Sequence, residues 1–428
     1  MSKVKNEKLA AEGDRELEWA RVNMPVLAQI RKDFERDKPL KGLTIGTALH
    51  LEKKTGILLE TLAAGGAKVF CSSCNPLTTD DRVAAALAKQ PNMNVFAWAG
   101  QTKDEYYSCL NSVLDGSPDI VIDDGCDLIF AIHEKRKELL KKIIGGCEET
   151  TTGVIRLKAM QKDGALKFPV IAVNNAYSKY LFDNRFGTAQ STLDAISRAT
   201  NKLIAGKTIV VAGYGWCGRG IASRARGLGA NVIVVETAGT LGEHESGYHR
   251  ALEALYEGFR VMSMDEAAGL GDIFITATGN KNIIDKQHLQ KMKTGTILAN
   301  AGHFNNEINE EALNSLAKGK REIKENVDAY ELKSGKTLYL LSEGRLVNLA
   351  RPSGQGHPIE IMDGSFAVQA LSVKFLVDNR GKLKPGVTSV PTETDNLVAR
   401  LALESQGIKL SPPTKEQAEY ANSWKEGT

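Results

Sequence analysis

The sequence has few cysteines, no long apolar run and almost no excess of charge of either sign. Six cysteines in 428 residues are too few and too scattered for a disulfide framework, which excludes the small disulfide-stapled secreted domains. No apolar run approaches the length of a membrane-spanning helix, and the charged N-terminus lacks an apolar signal region. Lys and Arg total 55 against 52 Asp and Glu, so the net charge of +3 favours neither nucleic acid nor a membrane surface as a partner. We therefore expect a cytoplasmic protein that binds neither.

The chain is too long for a single hydrophobic core, and its pattern alternates apolar β-branched runs with amphipathic stretches. This rhythm predicts parallel sheets covered by helices. The runs predict strands at 43–47, 68–72, 94–98, 119–122, 170–173, 208–212, 231–235, 259–262, 272–277, 296–299, 338–341 and 345–348. The main predicted helices are 55–64, 79–89, 103–114, 191–203, 366–377 and 395–404.

The predicted fold class is α/β, with two parallel-sheet domains, a cleft between them and a small helical extension at the C-terminus. We assign residues 1–187 and 352–384 to a substrate-binding domain and 188–351 to a Rossmann-type dinucleotide domain. Residues 385–428 form the predicted extension. A segment rich in proline and glycine near residue 352 marks the return of the chain from the second domain to the first.

The run 208–212 is followed at once by GYGWCG, the spacing of a dinucleotide-binding turn. In this motif Gly213 permits the tight turn, Gly215 lets a pyrophosphate approach the backbone, and Gly218 lets the following helix pack closely. The next predicted strand ends in Glu236, which can hold a ribose diol and would repel a 2′-phosphate. Strand, glycines, helix, strand and acid in this order favour NAD over NADP.

Polar side chains follow several strands of the first predicted sheet, at the edge where parallel sheets bind ligands. They are His50, Cys74, Asn75, Asp123, Asp124, Asn174 and Asn175, together with the run EETTTG at 148–153. The block KYLFDN adds Lys179, Asp183 and Asn184 just before the dinucleotide unit. Each residue alone also fits a structural role, such as a core histidine or a helix N-cap. Together they predict a polar small-molecule pocket with a proton-transfer group at the cleft.

Cys71 and Cys74 form a CxxC motif, which is a candidate for redox chemistry or for half of a zinc site. No second Cys/His pair with matching spacing accompanies it. We therefore expect these cysteines to serve packing and pocket lining, and we predict no resident metal.

The motifs as a set resemble the S-adenosylhomocysteine hydrolase (adenosylhomocysteinase) family, in the shorter form typical of archaea and some bacteria. The similar segments cover nearly the whole chain and read ALHLEKKT, SSCNP, DDGCDL, EETTTG, SKYLFDNRFG, AGYGWCGRG, TATGN, NAGHF, EGRLVNLA and GHP. The resemblance implies a hydrolase of the S-adenosylmethionine cycle in one-carbon metabolism. In that family bound NAD⁺ oxidises the ribose 3′-hydroxyl, homocysteine leaves by elimination, water adds, and the hydride returns.

The resemblance also implies roles for individual residues. The implied catalytic residues are His50, Asp124, Glu149, Lys179 and Asp183. Among these, Lys179 is the base for the 3′-hydroxyl, Asp124 handles the C4′ proton, and His50 serves the leaving sulfur or the incoming water. Glu149 and Asn184 would bind ribose hydroxyls, and His303 and His357 would line the nucleoside pocket. The implied NAD contacts are Thr150, Thr151, Thr152, Gly213, Gly215, Gly218, Glu236, Thr278, Asn300 and Asn348.

Some positions depart from the family pattern. Residues 237–250 are inserted near the adenosine end of NAD, and the C-terminal tail lacks the Lys…Tyr ending that reaches a neighbouring subunit in longer members. The resemblance places Glu52 and Lys54 near the purine, at positions that differ from the animal enzymes, and Gln355 stands just before Gly356 and His357. Hypoxanthine in place of adenine, and hence S-inosylhomocysteine as the substrate, is therefore an alternative. The resemblance implies a homo-oligomer, a tetramer in the family.

Two alternative functions, from other classes of protein, stay open at this point. An NAD-linked dehydrogenase of the 2-hydroxyacid type has a similar two-domain layout, but it would turn over free NADH and would not need Asp124, Lys179 and Asp183 together. A non-catalytic relative that binds NAD and a partner protein is expected to have lost this acid–base set, which the chain retains.

Overall fold

The computed structural model describes residues 2–239, 246–425 and 427, in which the strands form two eight-stranded sheets. The strands are β1 (Lys3–Val4), β2 (Thr44–Ala48), β3 (Lys68–Ser72), β4 (Met93–Ala97), β5 (Ile120–Asp123), β6 (Gly145–Glu148), β7 (Pro169–Ala172), β8 (Thr208–Ala212), β9 (Asn231–Val235), β10 (Arg260–Met262), β11 (Ile273–Thr276), β12 (Ile297–Asn300), β13 (Ala317–Lys324), β14 (Val327–Leu332), β15 (Thr337–Leu341) and β16 (Gly386–Ser389).

The helices connect these strands and cover both faces of each sheet. They are α1 (Ala10–Val22), α2 (Pro25–Asp37), α3 (Lys53–Ala64), α4 (Asp81–Leu87), α5 (Lys103–Asp115), α6 (Asp127–Glu134), α7 (Thr151–Lys162), α8 (Tyr177–Tyr180), α9 (Thr188–Thr200), α10 (Trp216–Gly227), α11 (Gly247–Tyr256), α12 (Met264–Ala267), α13 (Lys286–Lys291), α14 (Glu310–Leu316), α15 (Ile359–Asp378), α16 (Thr392–Ser405) and α17 (Lys415–Ala421). Among the described residues, no helix combines the length and the apolar character needed to cross a membrane.

The first sheet has the strand order β1-β4-β3-β2-β5-β6-β7-β16, and all of its strand pairs are parallel. The strand order changes direction between β2 and β5, which opens a crevice at their carboxyl ends. Successive residues of β5 alternate between two cores: Ile120 and Ile122 pack into one core, and Val121 packs into the other. Such a strand is buried on both faces, which is why an apolar run predicted it.

The second sheet has the order β10-β9-β8-β11-β12-β15-β14-β13, and it is parallel except for its last two strands. The first six strands are ordered as in a Rossmann fold, with the change of direction between β8 and β11. In β8, Ile209 and Val211 pack on one face while Val210 and Ala212 pack on the other. The α/β class with two largely parallel sheets and a helical C-terminal end is therefore confirmed.

The structure also differs from the sequence-based strand predictions. It adds β1, β6, β13, β14 and β16, whose sequences lack long β-branched runs, and it places residues 345–348 outside any strand. In that last segment Leu346 makes only an isolated bridge to Asn300, because the chain turns away toward the cleft. Residues 386–389, placed by sequence in a C-terminal extension, pair with β7 and so extend the first sheet. The proposed domain boundaries stay a prediction. Of the insertion 237–250, residues 240–245 lie outside the described part of the chain.

Candidate active site

A cavity lies where the carboxyl ends of the first sheet face the second sheet. The strands that end there are parallel, so side chains distant in sequence meet at one edge. The cavity is lined by ten of the predicted site residues, namely His50, Asp124, Glu149, Thr150, Lys179, Asp183, Asn184, His303, Asn348 and His357. The eight other predicted residues, which are all assigned to NAD, lie outside this lining.

Lys179 stands at the centre of a buried chain of charged groups. Helix α8 and the π-helical turn Asp183–Gly187 follow each other directly, which places Lys179 and Asp183 on the same side of the chain. Lys179 Nζ lies 2.6 Å from Asp183 Oδ2 and 3.8 Å from Glu149 Oε1. It also donates a hydrogen bond of 2.9 Å to Asn184 Oδ1. Three of the predicted site residues therefore surround the ammonium group.

These contacts set the protonation of the pair. Burial alone would lower the pKa of Lys179, but the charges of Asp183 and Glu149 outweigh it and raise that pKa above its ordinary value. Burial would likewise raise the pKa of Asp183, but Lys179 and His357 hold it well below its usual range. Asp183 Oδ1 also makes a short contact with His357 Nδ1, which must carry the proton because Asp183 is a carboxylate. Lys179 and Asp183 are thus an ion pair near neutral pH.

Glu149 is held from the side opposite to Lys179 by helix α15. Ser365 Oγ donates to Glu149 Oε1 at 2.7 Å, and Gln369 Nε2 donates to Glu149 Oε2 at 2.5 Å. Burial raises the pKa of Glu149 to about 7, and Asp183 adds to the effect while Lys179 opposes it. A carboxyl group with this pKa can exchange protons near neutral pH.

Asp124 faces two histidines and a thiol. His50 Nε2 lies 3.4 Å from Asp124 Oδ2, and His303 Nδ1 lies 3.6 Å from Asp124 Oδ1. The Cys74 thiol donates to Asp124 Oδ2 at 3.7 Å. Residues from the ends of β2, β3, β5 and β12 thus converge on one carboxylate.

The protonation of His50 follows from its surroundings. Burial lowers the pKa of His50 to about 4, against the opposing effect of Asp124, so the ring is neutral at neutral pH. His50 Nδ1 lies 2.9 Å from Thr78 Oγ1, and the Thr78 hydroxyl donates to the Asn75 carbonyl at 3.2 Å. We therefore assign the ring proton to Nδ1, which leaves a lone pair on Nε2 facing Asp124.

Side chains from the second half of the chain close over the first sheet. Gly125, which follows Asp124, has a positive φ of 108°, and a Cβ built there would stand 2.2 Å from His303 Nε2. His357 belongs to the segment that returns to the first sheet, and its Nε2 lies 3.1 Å from Asn348 Nδ2. His303 and His357 therefore join the site because the two sheets face each other, as the cleft prediction requires.

We call the glycine-rich turn at 213–218, together with the open space beside Gly215, the dinucleotide groove. At the start of α10, a Cβ on Gly218 would lie 1.8 Å from the Gly213 carbonyl oxygen, so only glycine permits this approach, while the space beside Gly215 is open. Glu236 accepts a short hydrogen bond from the Tyr214 backbone, which places its carboxylate against the glycine turn. Asn348 Oδ1 is buried, has no hydrogen-bond partner among the described residues, and is available to a ligand amide.

Three of the residues assigned to NAD, Thr151, Thr278 and Asn300, already bond to protein groups. Thr151 Oγ1 donates to Asn174 Oδ1 at 3.2 Å, and Thr278 Oγ1 donates to Glu307 Oε2 at 2.7 Å. Asn300 Nδ2 donates to the carbonyls of Gly302, Phe304 and Gly344, and so it anchors the loop that carries His303. The Thr152 hydroxyl lies across the cleft, 3.6 Å from where a Cβ of Gly279 would stand. Their contacts to NAD stay predictions.

A second charged pair lies at the other end of the cavity. Lys54 is 2% exposed, and its Nζ lies 2.9 Å from Glu52 Oε2 and donates to the Gln355 carbonyl at 2.9 Å. Burial lowers the pKa of Lys54, and Glu52 partly offsets this. Met362 and Phe366 of α15 also line the cavity, and they offer apolar surface for a flat ring.

Sequence reasoning did not single out several residues that hold this site in place. Glu148 Oε1 accepts from the Gly125 backbone at 2.9 Å and from the Thr150 backbone at 3.0 Å, and so it ties the loop after Asp124 to the loop that begins α7. Burial raises the pKa of Glu148 well above its ordinary value. Ser365, Gln369 and Glu307 were also not predicted, because nothing in their local sequence marks them as site residues. Glu148 belongs to the EETTTG run, which was the available signal for it.

Comparison with known proteins gives matches along most of the chain. Residues 184–354 match the profile of the S-adenosyl-L-homocysteine hydrolase NAD-binding domain, and residues 1–139 match the profile of S-adenosyl-L-homocysteine hydrolase. The sequence is 58% identical to the S-inosyl-L-homocysteine hydrolase of Methanocaldococcus jannaschii, over the full length of both chains. The chain belongs to the S-adenosyl-L-homocysteine hydrolase family. As a member of that family it is an enzyme of the thioether hydrolase type, with NAD as its cofactor.

Relatives in this family carry two different names. The chain is 56% identical to the S-inosyl-L-homocysteine hydrolase of Methanococcus maripaludis over the full length of both proteins. It is 55% identical to the adenosylhomocysteinase of Sulfurisphaera tokodaii, with 100% of this chain and 99% of that protein covered. Overall identity within the S-adenosyl-L-homocysteine hydrolase family therefore does not separate an adenine from a hypoxanthine substrate.

Proposed function

We propose that the protein hydrolyses the thioether of a nucleosidyl-homocysteine to homocysteine and the nucleoside through a transient 3′-keto sugar, and that the preferred nucleoside is inosine. The observation that carries the chemistry is the meeting of Lys179, Asp183, Glu149, Asp124 and His50 in one cavity beside the dinucleotide groove. Proton transfers at two neighbouring sugar carbons and at the 5′ position require several acid–base groups at fixed places.

When bound, NAD would supply the hydride acceptor for the sugar's 3′ carbon. The residues proposed to hold it are Glu236 and the glycines of the GYGWCG turn, with Asn348 at the cavity end. In this arrangement Glu149 and Asn184 bind the ribose hydroxyls, and Lys179 takes the proton of the 3′-hydroxyl.

The ion pair sets a condition on Lys179. A charged ammonium group cannot accept a proton, so Lys179 must first pass one on. Glu149 Oε1, at 3.8 Å from Lys179 Nζ, belongs to a carboxyl group with a pKa of about 7 and is the neighbour able to receive it. We therefore propose that Lys179, Asp183 and Glu149 titrate as one unit rather than as three separate groups.

The other end of the reaction is proposed to use Asp124 and His50. Asp124, at the head of the crevice between β2 and β5, would take the C4′ proton. The neutral ring of His50 presents a lone pair on Nε2, which suits it to activate the incoming water. The homocysteine sulfur would leave on this side of the cavity.

Lys54 supports inosine over adenosine. An ammonium group has three donor protons and no acceptor, and two of them point to Glu52 and to the Gln355 carbonyl, which leaves one for a ligand. The 6-oxo group of hypoxanthine accepts a hydrogen bond, whereas the 6-amino group of adenine is itself a donor. S-Inosyl-L-homocysteine is therefore the better partner, and the adenosyl compound is the second candidate.

The test incubates purified protein with each thioether separately and follows homocysteine with a thiol reagent and NADH by absorbance. We expect homocysteine release without net NADH formation, faster for the inosyl substrate. Stoichiometric NADH would instead identify a dehydrogenase, and bound NAD with no turnover of either compound would identify a binding protein. Native mass measurement of the same sample tests the proposed homotetramer.

A further inference from the structure

The carboxylate of Asp124 belongs to a cluster of three possible metal ligands. His50 Nε2, Cys74 Sγ and Asp124 Oδ2 all lie within 4.8 Å of one another. The two distances from Asp124 Oδ2 are 3.4 Å to His50 Nε2 and 3.7 Å to Cys74 Sγ. Tetrahedral ligands at zinc bond lengths of roughly 2.0–2.3 Å stand about 3.3–3.8 Å apart. The two edges that meet at Asp124 therefore already have the length of ligand–ligand edges in a zinc site, and the third, between His50 and Cys74, is no longer than 4.8 Å.

The orientation of the His50 ring points the same way. Its Nδ1 lies 2.9 Å from Thr78 Oγ1, and its Nε2 faces a carboxylate oxygen of Asp124 across 3.4 Å. A histidine that donates one ring N–H to a protein group while the other nitrogen is bare has the arrangement usual for a metal ligand.

We propose that His50, Cys74 and Asp124 bind a thiophilic divalent cation, Zn²⁺ above all, and that the bound ion reversibly inhibits the enzyme. Binding converts the Cys74 thiol to a zinc-bound thiolate and releases its proton to solvent, with no change in oxidation state. Cys71 of the CxxC motif takes no part, because it packs in a different hydrophobic core from Cys74 and is not grouped with His50 and Asp124.

Inhibition follows from where the ligands lie. His50 and Asp124 line the cavity, so an ion there has a route from solvent and an open coordination position facing the substrate. The ion would occupy the Nε2 lone pair and the carboxylate oxygen that the proposed function uses for proton transfer. The ion itself is inferred from the cluster alone; only its inhibitory effect rests on the proposed function.

The direct test uses metal alone and no substrate. The metal-free protein is titrated with Co²⁺ and examined for a thiolate-to-cobalt charge-transfer band, and Zn²⁺ is then added in competition. We expect one Co²⁺ per chain, with the band present and displaced by Zn²⁺. Absence of the band in the wild-type protein overturns the site, whether or not the protein hydrolyses any thioether.

Substitutions locate the site. In Cys74→Ser the cobalt band should disappear and the Zn²⁺ concentration for half-inhibition, relative to each variant's own metal-free rate, should rise at least about 10-fold. Cys71→Ser, the matched control, should keep both. Thr78→Val keeps all three ligands but removes the partner of His50 Nδ1, and it should weaken Zn²⁺ binding by roughly 10–100-fold. Unchanged inhibition of Cys74→Ser, or an equal loss in Cys71→Ser, would overturn the assignment. If Cys74→Ser does not fold, the site is tested by the Co²⁺ spectrum of the wild-type protein and by Zn²⁺ binding to Thr78→Val.

Discussion

The choice between two purines can be tested by changing Lys54. The chosen variant is Lys54→Met combined with Glu52→Gln, because Lys54→Met alone would leave the Glu52 carboxylate buried without its partner. Methionine keeps the length and the apolar contacts of the side chain but donates no hydrogen bond. The remaining cavity, including the apolar surface from Met362 and Phe366, is unchanged.

The size of the effect follows from the donors of Lys54. One ammonium proton is free for the ligand, and a hydrogen bond from a charged donor contributes about 1.5–3 kcal/mol. The variant should therefore lower kcat/KM for the inosyl substrate by roughly 10- to 150-fold relative to the adenosyl substrate. The adenosyl compound loses no such bond, so any general damage to the site cancels in the ratio.

The assay measures kcat/KM for both thioethers on the same enzyme preparation. Lys53→Met is the matched control, since Lys53 is the neighbouring residue of α3 but pairs with Glu16 at 2.8 Å outside the cavity. Its substrate ratio should equal that of the wild type. An equal loss for both substrates in the Lys54 variant, or no loss, would refute recognition of the 6-oxo group by Lys54.

Three further predictions concern charged groups. Lys179→Ala should reduce turnover by roughly 10²–10⁴-fold while NAD stays bound, because proton transfer fails and the dinucleotide groove is intact; turnover and bound NAD are measured on the same sample. Glu148→Ala should lower kcat/KM at least about 10-fold by freeing the Gly125 and Thr150 backbones, whereas Glu148→Gln should keep most of it, because Gln retains the acceptor of a neutral carboxyl. Burial raises the pKa of Asp363 to about 6, although its hydrogen bonds from the Val26 and Leu27 backbones act to lower it. Because the group ionises less readily in the folded than in the unfolded state, the folded state loses stability as pH rises from about 4 to about 6. Thermal unfolding is measured for Asp363→Asn and for the wild type across this pH range. The free energy of unfolding of the variant, relative to that of the wild type, should rise by on the order of 3 kcal/mol between the low and the high end of the range.

Each of these predictions has an outcome that contradicts it. Unchanged turnover of Lys179→Ala removes that residue from the mechanism. For Glu148, the control is Asp119→Ala, which breaks a 2.8 Å bond to the Thr44 backbone at the opposite edge of the same sheet. Asp119→Ala should lower the stability of the protein and leave kcat/KM unchanged. If Asp119→Ala and Glu148→Ala lowered kcat/KM equally, Glu148 would only stabilise the fold and would not position the site. A pH-independent difference between Asp363→Asn and wild type would show that Asp363 titrates normally.

The sequence predicted the elements that depend on local pattern. Strands buried on both faces, such as β5 and β8, appear as apolar β-branched runs and were located within a residue or two. Strand β6 has the sequence GGCE, with no β-branched residue, and it is extended because β5 and β7 pair with it on both sides. The exposed edge strand β13 has the sequence AKGKREIK. Its many charged residues do not form the apolar pattern by which strands were predicted, although the strand pairs with β14.

The same division holds for the site. The rule that polar residues at parallel strand ends meet at one edge predicted His50 and Asp124 together, while Glu149 was singled out through the polar EETTTG run and the family resemblance. It could not predict the contacts of His303 with Asp124 or of His357 with Asp183. Those contacts depend on how the second sheet faces the first, and no short stretch of sequence encodes that orientation.

The pairing of β16 with β7 has a consequence for biosynthesis. Val387 lies beside Val170 in the sheet, although more than two hundred residues separate them along the chain. During translation every strand of the second sheet, β8 to β15, emerges from the ribosome before the outermost strand of the first sheet is made. Helix α15, whose Phe366 and Val373 complete the core of the first sheet, is also made late. The second sheet can therefore finish folding from one continuous stretch of chain while the first sheet still lacks its last helix and its last strand.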